Sequence, residues 1–145
     1  MKYLIEYAIM HCNIPYRWGG DDPFAGYDCS GFLQEVLSSV GLDPRGDQTA
    51  NSLYIHFKKN GESDRLQAGS LCFFGTIYNI THCAFAIDGF RMVEAGGGGR
   101  KTTTREAAQR QNAFIRIRPI GSRKDLVAAI YPEYRHLQLN GLNTP

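Results

Sequence analysis

No stretch of this 145-residue sequence approaches the ~20 consecutive apolar residues that a membrane-crossing helix needs, which excludes a helical membrane span. Strong charge of either sign is lacking as well. A net charge of +2 is too mild for an electrostatic nucleic-acid footprint, and the basic residues are scattered apart from Arg100-Lys101 and the pair Arg116 and Arg118, so nucleic acid is not expected as a partner. Only four cysteines occur, Cys12, Cys29, Cys72 and Cys83, without CxxC spacing or an accompanying histidine pattern, and no metal site is expected from them. Internal repeats and long linkers are absent too, and the length suits a single domain, residues 1–145, with its own core. The run from Met1 to Cys12 is broken by Glu6 and followed by no small-residue cleavage site, so it reads as an amphipathic first helix and not as a signal peptide. On that reading the chain is made in the cytoplasm and reaches any site outside it by another route.

What is present concentrates around one cysteine. Gly19, Gly20, Pro23 and Gly26 punctuate a loop, and from Ser30 onward Phe32, Leu33, Val36, Leu37 and Val40 recur at helical spacing until Gly41. Asp28 is then a natural N-cap and Cys29 opens the first turn. Free backbone N–H groups and the positive end of the helix dipole favour a thiolate there, whereas the adjacent Asp28 carboxylate opposes it, so a cationic partner must tip the balance. Cys12, Cys72 and Cys83 sit in apolar surroundings and read as small buried thiols.

Further along, Asp43 to Asp64 reads as a loop and a short helix through Leu53, Tyr54 and Phe57 ending near Gly61. Ser70 to Phe74, bounded by Gly75, reads as a buried strand. His82 to Ile87 and Phe90 to Ala95 read as two strands joined across Asp88-Gly89, and Phe114 to Arg118 as a half-exposed strand in which apolar and basic residues alternate. The arrangement is helices first and an antiparallel sheet second, an α+β class. Residues 121–145 form a less legible tail, with a short helix expected over Lys124 to Tyr131, stopped by Pro132, and a polar end. Gly96-Gly97-Gly98-Gly99 is a candidate mobile loop. The stretch Gly96 to Thr102 faintly suggests a phosphate-binding loop, but Ala95 and Arg100 stand where that motif requires glycine.

A cysteine nucleophile needs a base, and the base needs a group that orients it. His82, at the start of a predicted strand with small Ala84 and Ala86 on its face, is the best-placed histidine; His11, His56 and His136 have nothing evident to serve. The blocks Pro15-Tyr16-Arg17-Trp18-Gly19-Gly20, Gly26-Tyr27-Asp28-Cys29-Ser30-Gly31, Ala68 to Phe74 and His82 to Ile87 resemble, in order and spacing, the signatures of NlpC/P60 cell-wall peptidases, over about residues 5–98. The resemblance implies a papain-like α+β fold with N-terminal helices packed on a central antiparallel sheet. It also implies hydrolysis of peptide bonds in peptidoglycan stem peptides, the γ-D-glutamyl bond foremost, without a metal or other cofactor. By position, Cys29 matches the family's nucleophile, His82 its general base, and Tyr16 a tyrosine whose hydroxyl lies near the thiol. Asp28 and Ser30 match positions that help bind a substrate amine in relatives, although each also reads as a helix cap. Trp18 belongs to the signature and is expected to pack under the site or line its cleft. Where relatives usually carry His, and sometimes Asn or Gln, this chain has Glu94, which reads either as a carboxylate that orients His82 or as a solvated acid on a strand.

Hairpin register decides between those two readings of Glu94. A two-residue Asp88-Gly89 turn sets His82 and Glu94 on opposite faces, whereas a three-residue Ile87-Asp88-Gly89 loop, with Gly89 left-handed and Ala86 facing Phe90, sets His82 opposite Glu94 on one face. The three-residue loop is the expectation. Two rival functions remain open: a related cysteine amidase or acyltransferase with the same dyad, and a catalytically idle wall-binding or phage-tail component. Without a recognisable export signal or wall-anchoring module, a phage-encoded enzyme with phage tail proteins as partners is a further expectation.

Overall fold

The computed structural model describes residues 1–134; His136 and the polar end of the tail lie outside the described residues. The first helix, α1 (Lys2–Met10), buries Leu4 and Ala8. A minimal ribbon of β1 (Asp21–Asp22) and β2 (Gly26–Tyr27) leads into α2 (Cys29–Ser38), and α3 (Ala50–Asn60) follows, entered through a Thr49/Ser52 capping box. The remaining chain builds β3 (Gly61–Ser63), β4 (Leu71–Thr76), β5 (Asn79–Ala86), β6 (Arg91–Gly96), α4 (Arg105–Arg110), β7 (Phe114–Pro119) and β8 (Leu126–Pro132). Six of these strands form one antiparallel sheet in the order β3-β8-β4-β5-β6-β7.

The two sheet faces are covered differently. Alternation sends Phe73, Cys83, Phe85 and Val93 to the face that α2 and α3 cover, where they join Phe32, Leu33, Leu37, Leu53 and Phe57 in the main core. The Tyr54 ring meets Phe73 edge-on at 5.5 Å between centroids. Cys72, Phe74, Ala84, Ala86, Met92 and Ile120 form a smaller cluster on the opposite face. Each aromatic or aliphatic side chain buried at this sheet–helix contact contributes about 1.5–3 kcal/mol, before the entropy of ordering it is set against that.

Several expectations are corrected here. Residues 124–131 are not helical: Leu126–Pro132 is β8, inserted between β3 and β4, where Leu71 pairs with Ile130 and Gly61 with Pro132. A short apolar run has no period of its own, and its two strand neighbours decided its state. β5 begins at Asn79, so His82 lies inside the strand and not at its start. β4 runs past Gly75, which takes φ 134° where the β4–β5 ladder shifts register, a conformation that suits glycine. α4 was not anticipated, although Thr104 caps it by accepting the Ala107 N–H at 3.1 Å.

The β5–β6 hairpin has the expected loop length but not the expected register. Phe85 pairs with Val93 and Ala86 with Met92, and the Ile87 N–H donates to the Arg91 carbonyl at 2.9 Å, so the three loop residues are Asp88-Gly89-Phe90. Gly89 is not left-handed. Its conformation is not called upon because the Asp88 carboxylate closes the turn itself, accepting from the N–H groups of Phe90 at 2.8 Å and Arg91 at 2.7 Å. Continuing this register sets Glu94 opposite Ala84, one diagonal step from His82. The parity is unchanged, and both side chains stand on one face.

Candidate active site

The thiol is placed by a local interlock of two sequence blocks. Tyr16 bridges Tyr27, the Arg17 N–H donates to the Tyr27 carbonyl at 3.0 Å, and the Asp28 N–H donates to the Gly20 carbonyl at 3.0 Å. Gly31, in the first turn of α2, lies against the Gly20 carbonyl so closely that any Cβ would overlap it. The loop carrying Trp18 and the helix carrying Cys29 therefore hold each other at backbone distance.

Asp28 is the N-cap of α2, as expected. One carboxylate oxygen accepts from the Gly31 N–H at 2.8 Å and the Ser30 hydroxyl at 3.1 Å, and the other accepts from the Gly19 N–H at 3.0 Å. Both Asp28 and Ser30 line the cleft beside Cys29, but their polar groups are committed to one another and to the loop. Burial raises the Asp28 carboxyl above its ordinary range despite these bonds.

Cys29 is held well below the ordinary thiol range. The largest influence is a hydrogen bond from the Cys83 thiol; burial opposes it, and the hydrogen bond and charge of His82 reinforce it. Cys83 itself is fully buried, its thiol reaches the Cys29 carbonyl at 3.4 Å, and burial followed by the neighbouring Cys29 charge pushes it well up. The two sulfurs thus divide between a thiolate and a neutral donor. All four cysteines are free; Cys72 is the buried thiol expected, whereas Cys12 is only half-buried, and burial raises both.

His82 bonds Glu94 from Nε2 to Oε2 at 2.5 Å, which leaves Nδ1 as the ring nitrogen for Cys29. Glu94 is only 1% exposed, so it is not a solvated acid. Its second oxygen, Oε1, accepts from Arg118 Nη1 at 3.1 Å. Burial would raise the Glu94 carboxyl, but the His82 bond and charge, then Arg118 and Arg123, bring it below its usual range. For His82 burial acts downward, and bonds and charge from Cys29 and Glu94 overcome it, carrying the imidazole up to about 9. An imidazolium beside a thiolate is the favoured pairing.

A cleft of about 490 Å³ opens over these groups, with Tyr16, Trp18, Cys29, His82, Glu94 and Arg118 in its wall. Tyr16 is buried, and its phenol is raised by burial and by the nearby Cys29 and Asp28 charges. Trp18 is half exposed, with the Arg100 guanidinium 5.8 Å from its ring centre, which is the cleft-lining alternative of the two expected. Gly96, Gly97 and Gly98 line the cleft as well: Gly98 presses on the Tyr16 ring where a Cβ would clash, and a Cβ on Gly96 would come within 3.1 Å of the Glu94 carboxylate. Those glycines serve close approach rather than phosphate. His11 is remote and structural, its Nδ1 2.9 Å from the Tyr7 carbonyl. Cys83 and Arg118 were missed as site residues; the basic alternation on β7 was the available signal for Arg118, and Cys83 had none.

A profile of the NlpC/P60 family matches residues 13–118, which span every residue lining the cleft except Arg123. The chain belongs to the NlpC/P60 family. It is 34% identical over 100 residues to the bifunctional muramidase/DL-endopeptidase CwlT of Bacillus subtilis, covering 66% of this chain and 29% of that protein. It is 36% identical over 74 residues to a gamma-D-glutamyl-L-lysine dipeptidyl-peptidase of Bacillus cereus, covering 49% and 20% respectively. The chain thus spans less than a third of the length of these relatives. Among solved structures, an NLP/P60-family protein of Staphylococcus aureus, similar to a lipoprotein, matches with a TM-score of 0.64 at 26% identity over 89% of this chain and 40% of its own. The NlpC/p60 domain of the peptidoglycan hydrolase SagA matches with a TM-score of 0.65 at 23% identity, over 88% of this chain and 94% of its own, a likeness of fold. The NlpC/P60 α+β fold expected from the signature blocks is the one this chain has.

Proposed function

We propose that this chain is a cysteine endopeptidase acting on γ-D-glutamyl-containing stem peptides of bacterial peptidoglycan. The observation that carries the reading is the buried 2.5 Å bond between His82 and Glu94 beside a thiol at the start of a helix. The relatives named as a DL-endopeptidase and a gamma-D-glutamyl-L-lysine dipeptidyl-peptidase support the substrate class.

In this reading Cys29 Sγ, as thiolate, attacks the amide carbonyl carbon, and the oxyanion is met by the Cys29 backbone N–H, with the Tyr16 hydroxyl as a second donor. The His82 imidazolium gives its Nδ1 proton to the leaving amine, and the C–N bond breaks to leave a thioester. Neutral His82 then takes a proton from water, which attacks the thioester and frees Cys29 as a thiolate beside the restored imidazolium. Glu94 accepts the Nε2–H throughout and stabilises each imidazolium. Asp28 and Ser30 act on the cleft wall chiefly by capping the helix that presents Cys29, and Trp18 supplies apolar lining. Delivery to the wall by a phage tail belongs to the same proposal, and tail genes beside this one would support it.

The test is mass spectrometry of defined muropeptides after incubation with the wild type, Cys29→Ala and Glu94→Gln. The expected result is cleavage by the wild type, none by Cys29→Ala and slowed cleavage by Glu94→Gln. Identical products from all three overturn the enzymatic reading, and an adduct with an added amine identifies an acyltransferase instead.

A further inference from the structure

Glu94 is nearly sealed from solvent, yet its two oxygens have different partners: Oε2 meets His82 and Oε1 meets Arg118. A carboxylate in that position needs both lone-pair directions satisfied, because a buried charge with one free oxygen is costly and free to rotate. We propose that Arg118 is a positioning residue, which fixes the Glu94 carboxylate from behind and through it aims the His82 imidazole at Cys29. The inference rests on the reading of His82 as the general base.

The surroundings single out Arg118 among the cations. Glu94 pairs in the ladder with Arg116, and Met92 with Arg118, so all four side chains share one sheet face. Arg116 is the nearer in register, but its guanidinium turns to the Asn112 carbonyl. Arg123 also faces Glu94, from the segment entering β8, but its guanidinium is paired with both oxygens of Asp125 at 2.8 and 3.1 Å and covers the Phe74 ring. Of the charged groups that approach Glu94 from β5, β7 and the entry to β8, only His82 and Arg118 bond its oxygens among the described residues. Arg118 keeps a solvent-facing side, its side chain being 38% exposed, so its influence belongs at the lower end of what an adjacent guanidinium exerts.

Two measurements on the intact chain test this. First, 15N titration of the His82 ring, assigned with His82→Ala, follows Glu94 through the bond it makes to Nε2 and needs no substrate. Arg118→Met is expected to move the carboxylate step upward by about one pH unit, Arg118→Lys to return most of that shift, and Glu94→Gln to abolish the step. Second, with muropeptide substrate, Arg118→Met is expected to lower kcat about tenfold with KM unchanged, and to lose nothing further in a Glu94→Gln background. A change in KM alone would make Arg118 a substrate contact and overturn the proposal. So would an unmoved carboxylate step, or an equal kcat loss with and without Glu94. If muropeptides are not cleaved while the titration shift stands, the peptidase reading fails and the positioning role survives. Arg118→Lys keeps both measurements interpretable should Arg118→Met unfold.

Discussion

The thiol half and the imidazole half of this site are built by different means. Cys29 is placed mainly by neighbours in sequence: Asp28 caps its helix and Gly20 and Gly31 lock the preceding loop to it, while the Tyr16 and Trp18 N–H groups tie that loop to the Ala113 and Thr102 carbonyls at 3.0 and 2.7 Å. His82 is placed by strands brought together from distant parts of the chain, with Glu94 on β6, Arg118 on β7 and Phe74 packed on its ring from β4. A locally built half tolerates distant damage, whereas a half built from register fails wherever the register does. The Cys83 thiol joins the two, since it sits beside His82 on β5 and reaches the Cys29 carbonyl.

The largest expected effect treats both halves alike: Cys29→Ala and His82→Ala each remove on the order of 10⁴-fold or more of kcat, read by muropeptide turnover, and the double variant loses no more than either. Next, Glu94→Gln breaks only the imidazole half and is expected to cost roughly 10²-fold in kcat while Cys29 still reacts with iodoacetamide. Third comes pH. His82 is raised to about 9, so the imidazolium and the stability it confers are fully present below its ordinary value of 6.5, and both are lost as pH rises through about 9. Activity and thermal stability are therefore expected to fall together on that alkaline limb. Glu94 is lowered, so its contribution is present above its ordinary value of 4.5 and is lost on acidification below it. Cys83→Ala sharpens the comparison by removing the thiol donor without touching the imidazole, and it is expected to raise the pH of Cys29 alkylation by about one unit. The smallest effect belongs to the local half: Asp28→Ala is expected to cost about 1–2 kcal/mol in denaturant unfolding while the His82–Glu94 bond persists by NMR.

That division also explains what could be read from the sequence. Asp28 as cap and Cys29 at the helix start follow from a few adjacent residues, and the helix over Phe32, Leu33, Val36 and Leu37 follows from period alone. Ala50–Asn60, β4 and the β5–β6 hairpin were legible for the same reason. Glu94 was legible only as a parity: face sharing survives a shift of register by two residues, which is why the expected neighbourhood of His82 and Glu94 holds although the pairing partner of Ala86 is Met92 and not Phe90. What sequence could not supply was any contact whose cause lies far along the chain. β8 looked helical because Leu126 to Ile130 carries no strong period, and its pairing with β3 and β4 decided it. Cys83 looked like an ordinary buried thiol because nothing local reveals that α2 begins against it.

β8 carries one more consequence, in the order of events. It pairs with β4 on one side and β3 on the other, although it is the latest in sequence of the described strands. A chain leaving the ribosome therefore presents Cys29, His82 and Glu94 before the strand that completes their sheet exists, and until then β4 and β3 each offer an open edge to any passing strand. Synthesis of the site residues and closure of their sheet are separated in time, and the emergence of β8, not the first appearance of the thiol, sets when this sheet is whole.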